Sequence, residues 1–337
     1  MDRGCDCRYF FKLIRRPFAA VCRNRREVRN FAFFFGRNFM KLAAFTKGNH
    51  AYVGALDDGE LAVVDIPDMR TLFELGHPVA KEAEKRLTTK RFKFDEIKLT
   101  APIFPKKIFH TAGNFREHAE EGDKADWGHA IKPWIVFFQN PDAVVGPDEN
   151  IVYPQHLTKE LDYELEFSVV MGKKGKFIPE SEAMDYVGGY VIFNDITARD
   201  IQRREMDSDN FSFSKSIDTF CPLGPWIVTP DEVGDPYNLD MELRVNGEKR
   251  QKSNTGKMAV TLNQIISKFS PAGYSPGDIL TTGTVSGVAA FSADKWAWYL
   301  KPGDVIEAEI EKIGILRNKV VSWKEAYGVA APEFEGF

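Results

Sequence analysis

Cysteine is scarce: the 337 residues hold four, and three of them (Cys5, Cys7, Cys22) fall in the first 39. A lone Cys221 in the remainder makes no internal disulfide, so the body reads as a reduced, cytoplasmic-type protein. Long apolar runs are missing too. Phe31 to Phe35 is far short of the roughly 18 apolar residues that a spanning helix needs, so a soluble chain without a membrane partner is expected. Neither charge dominates, with 45 Lys and Arg against 49 Asp and Glu and a net charge of −4, which argues against nucleic acid as a main partner. Internal repeats are absent.

That balance hides an uneven distribution. Residues 1–39 carry Arg3, Arg8, Lys12, Arg15, Arg16, Arg23, Arg25, Arg26, Arg29 and Arg37 against Asp2, Asp6 and Glu27. The segment is therefore +7, leaving −11 on residues 40–337 of a chain that totals −4. It also lacks Ser and Thr, whereas transit peptides are normally Ser-rich. A presequence, a basic arm and an extension upstream of Met40 are all compatible with this composition. The expectation adopted is an unstructured basic extension.

What is present is ample apolar content, 43 %, enough for a core of one large domain or two. Residues 40–67 alternate around Asp57-Asp58-Gly59 and predict a hairpin, Ala51–Ala55 with Leu61–Ile66. Met69 to Lys90 reads as short helices, with Leu72, Leu75, Val79 and Ala83 at helical spacing. From Lys106 onward short β-like runs dominate, including Lys107–His110, Val136–Phe138, Leu161–Met171, Val187–Phe193, Asp240–Val245, Ile279–Thr281 and Val305–Ile310. Helices are few: Asn114–Glu121, Ile196–Met206 and Leu262–Lys268. This irregular spacing fits a β-rich α+β domain rather than a doubly wound sheet. The organisation expected is a basic extension (1–39), a small N-terminal β domain (40–105), a catalytic domain (106–328) and a tail (329–337).

The run Leu161-Asp162-Tyr163-Glu164-Leu165-Glu166-Phe167 alternates strictly, which in a strand sets Asp162, Glu164 and Glu166 on one face. Carboxylates so placed repel, and a hard divalent cation between them relieves the repulsion. The same pattern also describes an ordinary wet strand face. Val305-Ile306-Glu307-Ala308-Glu309-Ile310-Glu311 is an internal example of it.

Four further stretches carry reactive side chains. Asn114 is a good N-cap with Glu117 completing a capping-box pattern, and His118 and Glu121 then share one helix face. A carboxylate beside an imidazole orients it as a base for water, although a surface His–Glu pair has the same spacing. Asp195 ends a strand, and Arg199 and Gln202 follow at i+4 and i+7 on one helix face; the alternative is an N-cap with its ion-pair partner. Lys215 lies in a loop among Phe213, Ser214 and Ser216. Thr281-Thr282-Gly283-Thr284-Val285-Ser286-Gly287 is a turn offering backbone N–H and hydroxyl donors to an anion, or simply a tight β-turn.

Taken together, these motifs run in a specific order. Asn-aromatic-x-x-His-x-x-Glu is followed by Asp-Tyr-Glu-x-Glu, Asn-Asp-x-x-x-Arg-x-x-Gln, the Lys of position 215, Gly-Pro-Trp, Gly-Thr-x-x-Gly-Val and Ile-Gly-x-Leu-Arg-Asn. From about Lys106 to Val321 the chain resembles the fumarylacetoacetate hydrolase family. The resemblance implies a mixed β roll with a small N-terminal β domain, usually a homodimer, acting on small 2-oxo or 1,3-dioxo acids. It implies that Glu164, Glu166 and Asp195 ligate Mg²⁺ or Mn²⁺, with Ca²⁺ as a further candidate. His118 and Glu121 then look like the water-activating dyad, Lys215 like a catalytic and substrate-holding cation, and Arg199, Gln202 and Thr284 like substrate-binding positions. The reaction expected is metal-dependent hydrolysis of the C–C bond of an acylpyruvate or related 2,4-dioxo acid by way of a metal-stabilised enolate. A decarboxylase, hydratase or isomerase of a 2-oxo-dioic acid is the alternative within the family, and a non-catalytic binding module the alternative outside enzymes.

The chain departs from the pattern in two places. Thr111 stands where true fumarylacetoacetases carry an acidic residue seven positions before the catalytic His, so the chain looks closer to acylpyruvase-like and hydratase-like members. Asn140 replaces a Lys common before the Pro of Phe137-Phe138-Gln139-Asn140-Pro141. The aromatic stretch Phe291 to Leu300 is expected to pack into the core, with shaping of the substrate pocket or of a dimer surface as the other roles.

Overall fold

A computed structural model describes residues 40–127, 134–210 and 212–333. The expectation for residues 1–39 lies outside them. The architecture is β-rich α+β. A twelve-stranded mixed sheet runs in the order Leu87–Lys93, Glu60–Val64, His50–Asp57, Lys41–Lys47, Cys221–Val228, Val187–Asn194, Leu165–Met171, Ile279–Thr284, Ile108–Ala112, Ile135–Gln139. Two short strands, Lys98–Thr100 and Val144–Val145, pair off this path. A five-stranded sheet carries Glu248–Asn254, Asp240–Val245, Val305–Ile310, Gly314–Ser322 and Asn150–Tyr153.

The expected hairpin forms with Asp57 opposite Glu60 across a turn in which Asp58 and Gly59 both have positive φ. The helical reading of 69–90 holds for Met69–Leu75 and Val79–Glu84 but fails beyond them. There Leu87–Lys93, rich in Thr and Phe, pairs with Glu60–Val64 as an edge strand. Strands of residues 40–100 join the main sheet directly, with Leu42 opposite Ile227.

The central strand Leu165–Met171 is buried on both faces, which its neighbours explain. Leu165, Phe167 and Val169 pack into the core shared with Leu243, Ile306 and Leu316 of the five-stranded sheet. Val170 joins Phe193, Leu72 and Phe73 in a second cluster, partly from the helices of residues 69–84. The expected continuous strand from 161 is broken, because Leu161–Asp162 pairs separately with Thr197–Ala198. By contrast Val305–Ile310 alternates half-exposed and buried positions, and Arg244 pairs with Glu307 and Glu309 on its wet face. Two similar sequence patterns thus have opposite environments. Among the described residues no helix is long and apolar enough to cross a membrane.

Candidate active site

The ends of several strands meet around one pocket lined by His118, Glu164, Glu166, Asp195, Lys215 and Thr284, with Arg199 and Gln202 beside them. All eight are buried, with Arg199 at 2 % exposure and Lys215 at 3 %. Among the described residues, charges at such positions need partners.

Lys215 sits on a short 3-10 turn, Phe213–Lys215, and its Nζ lies 2.9 Å from Glu164 Oε2, 2.5 Å from Asp195 Oδ2 and 2.9 Å from Thr197 Oγ1. Arg199 donates through Nε to Asp162 Oδ2 at 2.8 Å and through Nη1 to Gln202 Oε1 at 2.9 Å, and its Nη2 lies 2.7 Å from Glu164 Oε1. The alternative reading, Asp195 as an N-cap paired with Arg199, therefore does not hold. Ala198, not Asp195, precedes the helix Arg199–Met206, and Asp162 holds the guanidinium. Asp162 in turn accepts from the backbone N–H of Ala289 and Ala290.

These contacts set the acids apart. Burial pushes the Glu164 carboxyl up, but the Lys215 and Arg199 charges outweigh it and hold it at about 2. Burial raises Asp195 to about 7, with the Glu164 charge adding to the rise and Lys215 opposing it. Glu166 is pushed well above the usual carboxylate range by burial and then by the Asp195 and Glu164 charges. Burial would lower Lys215, yet Asp195 and Glu164 lift it above the usual lysine value.

The Gly/Thr turn does supply backbone donors, but to the protein's own carboxylates. Gly283 N–H donates to Glu166 Oε2 at 3.1 Å, and Gly287 N–H donates to both Glu121 oxygens at 2.9 and 3.1 Å. Both glycines have positive φ, and a Cβ on Gly287 would lie 2.1 Å from the Arg250 carbonyl oxygen. Opposite Glu166 the register shifts, giving Ile279–Thr284 an additional residue between Thr281 and Thr284. Thr284 lines the pocket, though its hydroxyl donates to the Leu165 carbonyl and accepts from Gln251.

The helix of the dyad is Arg116–Lys124, capped by Phe115 rather than by Asn114. Asn114 instead clamps Val260, donating to its carbonyl at 3.1 Å and accepting from its N–H at 2.7 Å. Glu117 turns away to Ser253 and Lys257, so the capping box does not form. His118 Nδ1 lies 3.8 Å from Glu121 Oε2, and its ring packs 5.2 Å from Phe291. Phe291 also meets Trp127 edge-on, so part of the aromatic stretch walls the pocket while Trp296 is exposed.

Two residues here escape sequence reasoning. His110 is fully buried, with Nδ1 3.6 Å from Asp195 Oδ2 and 3.7 Å from Glu166 Oε2. Gln139 donates to Asp195 Oδ1 at 3.0 Å and to the Lys215 carbonyl. Their only signal is polarity inside the apolar runs Ile108-Phe109-His110 and Val136-Phe137-Phe138-Gln139. Thr111, at the position of the missing acid, donates to the Thr281 carbonyl.

Comparison with known proteins places this arrangement. Residues 107–321 match the family described as fumarylacetoacetate (FAA) hydrolase, C-terminal. The chain is 40 % identical over 228 residues to the mitochondrial oxaloacetate tautomerase FAHD2A of Bos taurus, covering 67 % of this chain and 70 % of that one. A fumarylacetoacetate hydrolase from psychrophilic Exiguobacterium antarcticum superposes with a TM-score of 0.72 at 33 % identity, over 84 % of this chain and 99 % of that one. A 2-hydroxyhepta-2,4-diene-1,7-dioate isomerase from Mycobacterium marinum gives 0.67 at 26 % identity, over 84 % of this chain and 99 % of that one. The chain belongs to the fumarylacetoacetate hydrolase family.

Proposed function

We propose that the chain is a metal-dependent enzyme that interconverts keto and enol forms of a small 2-oxo-dicarboxylic acid of the oxaloacetate type. The observation that carries the reading is the meeting, in one pocket, of a His–Glu dyad with three buried carboxylates. The 40 % identity to an oxaloacetate tautomerase supports the substrate class.

The donor set fits a hard divalent cation such as Mg²⁺ or Mn²⁺. Glu166 and Asp195 are buried carboxyls raised by burial and by neighbouring negative charge, an arrangement that a cation stabilises. Glu164, Glu166 and Asp195 would hold it. A divalent ion there supplies Lewis-acid polarisation of the substrate carbonyl. His118 removes the proton from the carbon beside that carbonyl and returns it to oxygen, so no co-reactant is needed. Glu121, fixed by the Gly287 N–H, stands 3.8 Å from His118 Nδ1, where its charge would stabilise the imidazolium formed when the ring takes the proton. Gln202, whose Oε1 is taken by Arg199, presents its amide N–H groups to a substrate carboxylate. Lys215 contributes its positive charge with its three hydrogens on Glu164, Asp195 and Thr197, and Phe291, Trp127 and Phe137 exclude water.

The fixed Glu121 favours one second reading, in which His118 activates water and a C–C bond of a dioxo acid is hydrolysed. Disappearance of enol-oxaloacetate and of acetylpyruvate, followed side by side with Mn²⁺ and with EDTA, separates the two. Metal-dependent acceleration with oxaloacetate alone supports tautomerisation. Cleavage of acetylpyruvate selects hydrolysis, and equal rates with EDTA contradict both. A lone buried Cys221 fits the cytoplasm that the cysteine count favours and equally the mitochondrion of the bovine relative's name.

The same acids give metal binding a pH dependence. Metal ligands must be deprotonated, and Asp195, at about 7, holds its proton at pH 6, while burial and neighbouring negative charge shift Glu166 in the same direction. Affinity for Mn²⁺ therefore rises with pH through 7, with protons released on binding. Calorimetry at pH 6 in buffers of different ionisation enthalpy checks this; a binding heat independent of buffer contradicts it.

A further inference from the structure

We infer that His110 supplies a nitrogen ligand, through Nδ1, to the divalent cation held by Glu166 and Asp195. The inference rests on the metal-dependent reading above and adds a donor to it. Nδ1, a Glu166 oxygen and an Asp195 oxygen all lie within 4.8 Å of one another. The separations from Nδ1, 3.6 and 3.7 Å, are a few tenths of an ångström wider than a common cation requires between neighbouring ligands. Glu164 has a competing role, since each of its oxygens faces a cation, Arg199 on one side and Lys215 on the other, whereas Asp195 shares one oxygen, Oδ2, with Lys215.

The surroundings fix the ring. Phe137, directly opposite in the strand pairing, stacks on the imidazole at 4.8 Å, and Phe193 meets it edge-on at 4.9 Å. Gln139 spends its N–H groups on Asp195 and on the Lys215 carbonyl, leaving its buried Oε1 without a donor. His110 Nε2 is buried and equally unmatched, and the two side chains are neighbours. The tautomer with its proton on Nε2 would offer Gln139 Oε1 a donor, the kind of second bond that metal-bound histidines characteristically make. The Nδ1 lone pair then points at Thr281 Oγ1, 3.0 Å away, and at the two carboxylates. Thr281 can turn its hydrogen to Glu166, which it also contacts, and free Nδ1 for the metal. An imidazole donor moves preference from Mg²⁺ and Ca²⁺ toward Mn²⁺ and later transition ions.

Pulsed EPR of the full chain loaded with one equivalent of Mn²⁺ reads the ligand atom directly. The expected spectrum shows nitrogen coupling of a coordinated imidazole, altered by ¹⁵N-histidine labelling of the otherwise unchanged protein. The coupling persists in His118→Asn and disappears in His110→Ala, whose Mn²⁺ affinity falls by about tenfold or more. The labelled wild-type chain keeps the test valid if His110→Ala does not fold. Mn²⁺ bound with oxygen ligands alone, or coupling that survives His110→Ala, overturns the assignment of His110 only. Failure of Mn²⁺ to bind at all overturns the metal-dependent reading and this inference with it.

Discussion

Glu166→Gln lowers kcat/KM by about a thousandfold and removes Mn²⁺-induced thermal stabilisation, while the metal-free protein melts no lower than wild type. The loss follows from the several kcal/mol that metal polarisation contributes to a developing oxyanion, at about 1.4 kcal/mol per tenfold in rate. The retained stability follows from Glu166 itself. Its carboxyl is raised by burial and like charge, so an amide of the same shape relieves a cost, and the Gly283 N–H keeps an acceptor. Glu164→Gln behaves differently, because Lys215 and Arg199 both lean on that carboxylate. Weakening a buried pair from one side costs up to about 3–5 kcal/mol, so its activity loss comes with a lower Tm. A calorimetric scan with and without Mn²⁺ distinguishes them. A Glu166→Gln protein that keeps its metal shift and its turnover refutes the site.

His118→Ala has the second large effect, a fall in kcat of about 10²- to 10⁴-fold with metal binding unchanged. The near polar neighbour of the imidazole is Glu121 at 3.8 Å, and the ring acts on Glu164 through its charge alone. Metal affinity and turnover should therefore separate. Glu121→Gln should cost less, about tenfold, because the amide still accepts from Gly287 but no longer holds an imidazolium. Steady-state rates with titrated Mn²⁺ check both, and parallel loss of affinity and rate in His118→Ala would place the histidine on the metal instead.

Much of this site is legible in one dimension. Glu164, Glu166, Asp195, Arg199, Gln202, Lys215, Thr284 and His118 all reach the pocket that their motifs pointed to. What spacing could not show is which chain ends meet. Glu166 and Glu307 sit in similar alternating runs, yet one strand is central and covered on both faces while the other keeps a wet one. Asn114 reads as an N-cap by local chemistry, but a partner 146 residues away, Val260, claims its amide. Local signals lose such contests when tertiary contacts satisfy more hydrogen bonds. His110 and Gln139 were invisible for the same reason, since only the pairing of Ile108–Ala112 with Ile135–Gln139 brings them behind Asp195.

In the proposed function His118 moves a proton at the carbon beside a carbonyl in a metal-dependent pocket. Deuterium incorporation into the methylene of oxaloacetate in D₂O, followed by NMR with catalytic amounts of Mn²⁺-loaded protein, tests it most directly. The expected result is exchange well above the buffer rate, abolished by EDTA and reduced about a hundredfold or more in His118→Ala. Exchange no faster than buffer, with Mn²⁺ demonstrably bound, would contradict it.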